Sequence, residues 1–196
     1  MKRIPPWTVA SAVAAPVFLA AGCALAQWRQ PPGYDPVRDT ISALAAHGAR
    51  DRWIMTGALV GLGVSHLITA TGLRAARVAA RTVLALGGAA TVAVAVFAQP
   101  AHGNSEAHTV AATIAFTALA LWPLVALDRS TTVALLRPAP SVVASSVMMA
   151  LVLSFVAEIH GGHRGLAERA AAGAQALWPL AVVVAGRVAQ RSRSLT

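Results

Sequence analysis

WIMTGALVGLGVSHLITATGL, from Trp53 to Leu73, runs without a lysine, arginine, aspartate or glutamate. A hydrocarbon core about 30 Å thick needs roughly 17 to 25 helical residues at about 1.5 Å each, so this stretch is long enough to cross it. Its apolar residues are continuous instead of alternating, and a helix satisfies its own backbone in lipid, so a helix is expected in place of a barrel strand. Five further stretches read the same way: Trp7 to Trp28, Thr82 to Ala98, Thr109 to Leu127, Val142 to Ile159 and Ala170 to Gly186. The fold class is therefore an all-α membrane protein, a six-transmembrane-helix bundle forming one domain over residues 1–196. A hydrophobic content of 57%, a charged content of 12% and a mean hydropathy of +0.63 exclude an ordinary soluble domain.

The charges are sorted by side. Lys2, Arg3, Arg74, Arg77, Arg81, Arg129, Arg137, Arg187, Arg191 and Arg193 fall at alternate ends of the spans, against Arg29, Arg38, Arg50, Arg52, Arg164 and Arg169 at the others. Basic residues favour the cytoplasmic side, so both termini are expected to be cytoplasmic. The outer loops then hold six acids (Asp35, Asp39, Asp51, Glu106, Glu158, Glu168) and every histidine except His66. A pI near 11.7 does not point to nucleic acid, because no basic cluster is interleaved with aromatics on a soluble element. The expected partner is the lipid bilayer, with anionic lipid adding attraction near the basic residues.

The first span carries a second reading. Its basic start and Ala24-Leu25-Ala26 before Gln27 resemble a cleavable signal peptide, and Gly22-Cys23 faintly resembles a lipobox. Its apolar run exceeds a signal core of about 7 to 15 residues, so the span is expected to be retained. Cys23, the only cysteine, excludes an intramolecular disulfide and any multi-cysteine metal site.

The longest outer loop, Arg29 to Arg52, opens on Pro31-Pro32-Gly33. Asp39 is expected to cap a short helix from Thr40 to Ala46, ended by Gly48, with Ile41, Leu44 and Ala45 on one face as a lid over the bundle. Gly57 and Gly61 form a small-xxx-small pair that predicts close helix contact. Leu121-Trp122-Pro123-Leu124 and Leu177-Trp178-Pro179-Leu180 echo each other, a hint of related hairpins as in some transporters. The plainer account makes each Trp a packing or interfacial anchor and each Pro a tolerated kink.

Chemistry has few candidates. His102, Glu106 and His108 stand in the third loop, and Glu158, His160 and His163 in the fifth. Imidazole and carboxylate suit zinc where cysteine is lacking, so His102, His108, His160, His163 and Glu158 form a candidate metal set. Zincin spacing is absent, Gly161-Gly162 argues for a turn, and solvated loop residues are the plainer reading. His66 differs, being an ionisable group inside a span, with Ser65 before it and Thr69 after; a hydrogen bond to a neighbouring helix would explain it equally. Ser42 and Ser65 lack any nucleophile elbow.

Tyr34, Ile41-Ser42 with Leu44, and Met55 opening the second span, then Gly103-Asn104-Ser105 before His108, then Gly165-Leu166-Ala167-Glu168-Arg169 before Leu177-Trp178, together resemble a bacterial integral-membrane family catalogued as domain of unknown function 998. The resemblance covers roughly Trp7 to Arg187. It departs where the family reads Ser-Glu-Leu-Gly and this chain has Ser42-Ala43-Leu44-Ala45, which removes any role resting on that glutamate. It implies six membrane helices and a retained first span, in a bacterial plasma membrane, and it supplies no activity.

The resulting expectation is a non-enzymatic module binding a lipid, small ligand or partner protein at the outer end, with His102, Glu106, His108, His66, Tyr34 and Ser42 as ligand-binding candidates and no required cofactor. The alternatives are a zinc-dependent membrane hydrolase acting on lipid-like substrates, with Glu106 or Glu158 as base, and a small transporter built around His66. Fold does not choose among them.

Overall fold

Prolines and hydroxyl caps set the helix boundaries. Pro6 opens α1 (Pro6–Trp28) and Pro138 opens α6 (Pro138–Ala157), each at a first-turn position where a missing N–H does no harm. Thr40 caps α2 (Ile41–Ala45) by accepting from the Ala43 amide, and Ser105 caps α5 (Glu106–Val125) by accepting from the His108 amide. α3 (Trp53–Gly72), α4 (Val78–Val96) and α7 (Arg164–Arg193) complete the helices of a computed structural model that describes residues 4–193. Six of the seven are long and apolar enough to cross a membrane. Lys2 and Arg3 lie outside the described residues.

The six spans form a ring in chain order. α1 packs on α3, α3 on α4, α4 on α5, α5 on α6, α6 on α7, and α7 returns to α1. Both ends of the described chain meet at one end of this ring: the Ile4 amide donates to Gln190 Oε1 at 3.2 Å, and Arg187 donates to the Ile4 carbonyl at 2.9 Å. We call this the terminal end. The opposite, far end carries the segments 29–52, 97–105 and 158–163. α1 closes the ring, burying Ala12, Ala15, Leu19 and Ala26.

The outside of the ring is apolar, with Val13, Val17, Phe18, Ile68, Val143, Val147 and Leu153 exposed. In water such a surface would be a liability; against lipid tails it is matched. Trp28 and Trp53 are exposed near the far end and Trp7 near the terminal end, at interfacial depth. The interior is built from small residues and interhelical hydrogen bonds. Ser11 and Thr69 hydroxyls pair at 2.9 Å, Ser145 donates to the Ala120 carbonyl at 2.7 Å, and Gln175 donates to the Phe116 carbonyl at 2.9 Å. Arg81 caps the end of α3 by donating to the carbonyls of Ala70 and Thr71.

Several boundaries differ from the sequence reading. The last helix begins at Arg164, six residues before the expected Ala170, because its charged first turns lower hydropathy without breaking helical backbone. Its Leu166 amide donates to the Val37 carbonyl and its Arg164 to the Arg38 carbonyl, so the 29–52 segment supplies the acceptors. Thr40, not Asp39, caps α2; the Asp39 carboxylate instead accepts from the Asp35 amide. α2 ends at Ala45, with Ala46 as its C-cap, before Gly48. Ile41, Leu44 and Ala45 are buried together, so the lid expectation holds. Gly57 has nothing near it, and Gly61 lies under the Phe18 ring; the closest backbone approach on α3 is Gly63 against Gly88 of α4. Trp122 and Trp178 both pack in the interior, so neither is an interfacial anchor.

Candidate functional site

Beneath α2 three side chains from distant parts of the chain form one hydrogen-bonded line. Ser42 Oγ stands 3.1 Å from His108 Nε2 and 3.1 Å from Glu168 Oε1. At the histidine end, Nδ1 meets the Phe97 carbonyl at 3.0 Å. Phe97 is the C-cap of α4, whose last carbonyls have no helical partner, so the imidazole satisfies a helix end while being aimed by it. At the other end Glu168 Oε2 accepts from the Ile41 amide, one of the orphan donors opening α2. His108 and Glu168 are buried, and Ser42 is half-buried.

A second layer holds this line in place. Arg169 donates to the carbonyls of Pro36, Asp39 and Gly165 and to the Tyr34 hydroxyl, tying the 34–39 segment onto α7. Gly165 permits the approach: a Cβ there would lie 2.3 Å from the Asp39 carbonyl oxygen and 2.7 Å from that of Pro36. Burial pushes the Tyr34 phenol above its ordinary value of 10.0, with Arg169 opposing the rise.

Below Ser42 and Glu168 a cavity of about 60 Å³ runs into the bundle, with room for about four waters or a solute of a few heavy atoms. Leu59, Leu62, Val94, Phe116 and Leu119 give it an apolar wall, and His66, Thr91 and Gln175 line it as well. His66 is 1% exposed and neither ring nitrogen has a hydrogen-bond partner. Thr91 and Gln175, by contrast, bond the carbonyls of Gly87 and Phe116. A buried polar group without a partner is uncommon in a folded protein, and here it borders a space beside the Ser42 line.

Of the residues singled out from sequence, Ser42 and His66 line this cavity, His108 joins it through its contact with Ser42, and Tyr34 is held by Arg169 in the layer behind. His102 and Glu106 do not join it; both are exposed, and Glu106 lines a shallow groove between α4 and α5. His160 and His163 are exposed turn residues, and Glu158 accepts from the His163 amide. Both His108 nitrogens are engaged within the protein, so the zinc set is not assembled. Among the described residues no three of His, Cys, Asp and Glu converge as metal ligands. Glu168, Arg169 and Gln175 were missed as site residues, the first two because they read as solvated loop charges beyond the last span. The signal that could have found Glu168 is its place on one face of an extended α7 with Ala172, Gln175 and Ala176, at helical spacing.

Six apolar helices in a closed ring, with the polar line and cavity inside, define a multi-pass integral membrane protein. The chain belongs to the family described as Protein of unknown function (DUF998), whose model matches residues 12–185. No curated protein and no solved structure matches it. Tyr34, Ser42, His108, Glu168 and Arg169 all belong to the short motifs through which the sequence resembled that family, and they meet in this one site.

Proposed function

We propose that this protein is a non-enzymatic membrane module that admits a small polar solute into the cavity beneath α2. The observation that carries the reading is His66, an imidazole with both nitrogens unpartnered on the wall of a space that also meets Ser42 and Glu168. A solute or water cluster bonded to His66 removes the cost of that burial, about 1–3 kcal/mol per unsatisfied group. A space of about 60 Å³ suits an occupant of a few heavy atoms. The basic bias of the terminal end supports a plasma-membrane orientation with that end in the cytoplasm and the 29–52 lid outside.

Hydrolysis is the weaker reading. A serine nucleophile needs donors where negative charge develops, yet the Ile41 amide beside Ser42 is taken by the Glu168 carboxyl. A metal-assisted route needs His102, His108 and His160 or His163 to converge, which they do not. A small transporter is the second reading, favoured by the depth of His66. It lies thirteen residues past Trp53, about 20 Å along α3, well into the bilayer.

The test is thermal stability of the purified protein against ammonium, methylamine, formate, acetate, urea and glycerol. At least one should raise the unfolding temperature saturably, and Ala115→Phe, which fills the cavity, should abolish the response. If no solute separates the wild type from Ala115→Phe, the pocket reading fails. His66-dependent flux of the stabilising solute into proteoliposomes would select the transporter.

A further inference from the structure

The line Glu168, Ser42, His108 contains more hydrogen-bond contacts than the serine alone can supply with protons. A carbonyl only accepts, so the contact with Phe97 requires a hydrogen on His108 Nδ1. Between Nε2 and Oε1 lie two contacts of 3.1 Å each, both to Ser42 Oγ. Each needs one hydrogen, and the serine hydroxyl brings one. If Glu168 were ionised and His108 neutral, one contact would set two lone pairs against each other.

One further proton completes the line, and it has two resting places. On Glu168, the carboxylic acid donates to Ser42 Oγ and the serine donates to His108 Nε2. On His108, the imidazolium donates from Nε2 to Ser42 Oγ and the serine donates to Glu168 Oε1. Neither arrangement changes the net charge of the site, and neither requires a heavy atom to move.

We propose that Glu168, Ser42 and His108 form a one-proton relay in which a single proton passes between the Glu168 carboxyl on the cavity wall and the buried His108 imidazole beneath the lid. In the transfer the Glu168 O–H bond breaks as its proton joins Ser42 Oγ. The original Ser42 hydrogen passes to His108 Nε2, leaving a carboxylate, an intact serine and an imidazolium. Glu168 lies on the cavity wall, whereas His108 is buried against the end of α4, where its Nδ1 meets the Phe97 carbonyl. Buried chains of acid, hydroxyl and imidazole are how membrane proteins carry protons where water is scarce.

The neighbouring titratable and charged groups leave these two positions as the proton's places. From α7, Arg169 adjoins Glu168 and is committed to Tyr34 and the carbonyls of the lid segment. From α1, Cys23 is the titratable group near Glu168, and Asp39 stands beyond Tyr34. From α4, the groups facing His108 are the carbonyls of Phe97 and Val94. From α3, His66 borders the cavity. Ser42 and Glu168 stand on the pocket wall and His108 behind Ser42 whether or not a solute enters, so the test of the relay reads it separately from the solute panel.

That test is a pH titration of the wild-type protein in lipid nanodiscs. It follows the infrared carbonyl band of a protonated carboxylic acid, assigned by its loss in Glu168→Gln, and the ¹⁵N signals of His108. Over one pH interval the acid band and the imidazolium signal should together account for one proton per protein, and both should vanish in a single step at its alkaline edge. Ser42→Thr should retain this joint step. Ser42→Ala should split it into two steps belonging to the separate groups. An interval in which Glu168 is ionised while His108 is neutral, or independent steps in the wild type, overturns the relay, and so does a joint step that survives in Ser42→Ala. The ¹⁵N titration of His108 in the wild type decides the matter even if a variant fails to fold, because an imidazole that titrates at the alkaline edge in more than one step, or with no acid band changing alongside it, overturns the relay.

Discussion

Two glycines six residues apart on α3 should respond to alanine with opposite signs. At Gly63 an added Cβ would lie 2.5 Å from the Gly88 carbonyl oxygen, 2.7 Å from Val92 Cγ2 and 3.0 Å from the Val92 nitrogen. An ordinary carbon–oxygen contact is about 3.3 Å or longer, so α3 and α4 must separate by roughly 0.8 Å. A gap of that size forfeits about a quarter to a half of each dispersion contact across the seam, and overpacking of this kind costs about 1–3 kcal/mol. Gly57 has nothing within 4 Å and faces outward, so Gly57→Ala meets no clash. It should gain up to about 1 kcal/mol from helix propensity. The variants should therefore differ by about 1–4 kcal/mol, or roughly 2–16 °C in unfolding temperature for a chain of this length. Thermal unfolding of both, purified in one detergent and followed by circular dichroism, measures the difference. If Gly63→Ala is as stable as Gly57→Ala, the close backbone approach that positions His66 beside α4 is not present.

Other outcomes follow from the site. Glu168→Ala leaves the Ile41 amide without its acceptor and should destabilise the lid by about 1–3 kcal/mol, read as faster proteolysis within residues 29–52 than in the wild type. Gly165→Ala pushes on the Asp39 and Pro36 carbonyls and should produce the same lid loosening without touching Ser42, Glu168 or His108. Tyr34 is the only tyrosine, so ultraviolet titration reports it alone and should give a midpoint above 10.0. Because its folded value is raised, its contribution to stability is full below the unfolded value near 10 and is lost as pH rises through the folded one. A Tyr34 midpoint at or below 10.0 would mean that the phenol is not held as described.

The spans themselves were legible because bilayer thickness imposes a length and a composition on any helix that crosses it. Trp53 to Leu73 was expected and α3 runs from Trp53 to Gly72; the buried face of Ile41, Leu44 and Ala45 followed equally from spacing. The beginning of α7 was not legible. Hydropathy measures transfer into lipid, and Arg164, Glu168 and Arg169 fail that measure while remaining helical on account of acceptors from the lid. Of the Gly57 and Gly61 pair expected at a close helix contact, Gly61 does face Phe18 of α1 and Gly57 faces nothing, because a small-residue spacing says that contact is allowed, not which glycine faces a neighbour.

The site divides in the same way. Sequence by itself determined that this is a six-span membrane protein with polar groups gathered at one end and His66 stranded within a span, because those conclusions depend on each segment's own solvent. Which polar groups meet was decided only by the tertiary structure. Ser42 and Glu168 are separated by 126 positions and Ser42 and His108 by 66. Their partnership arises because α7 closes the ring against α1 while the lid folds inward over both. The same closure leaves His102, His160 and His163 outside, exposed to water, though their residue types made them equal candidates on paper.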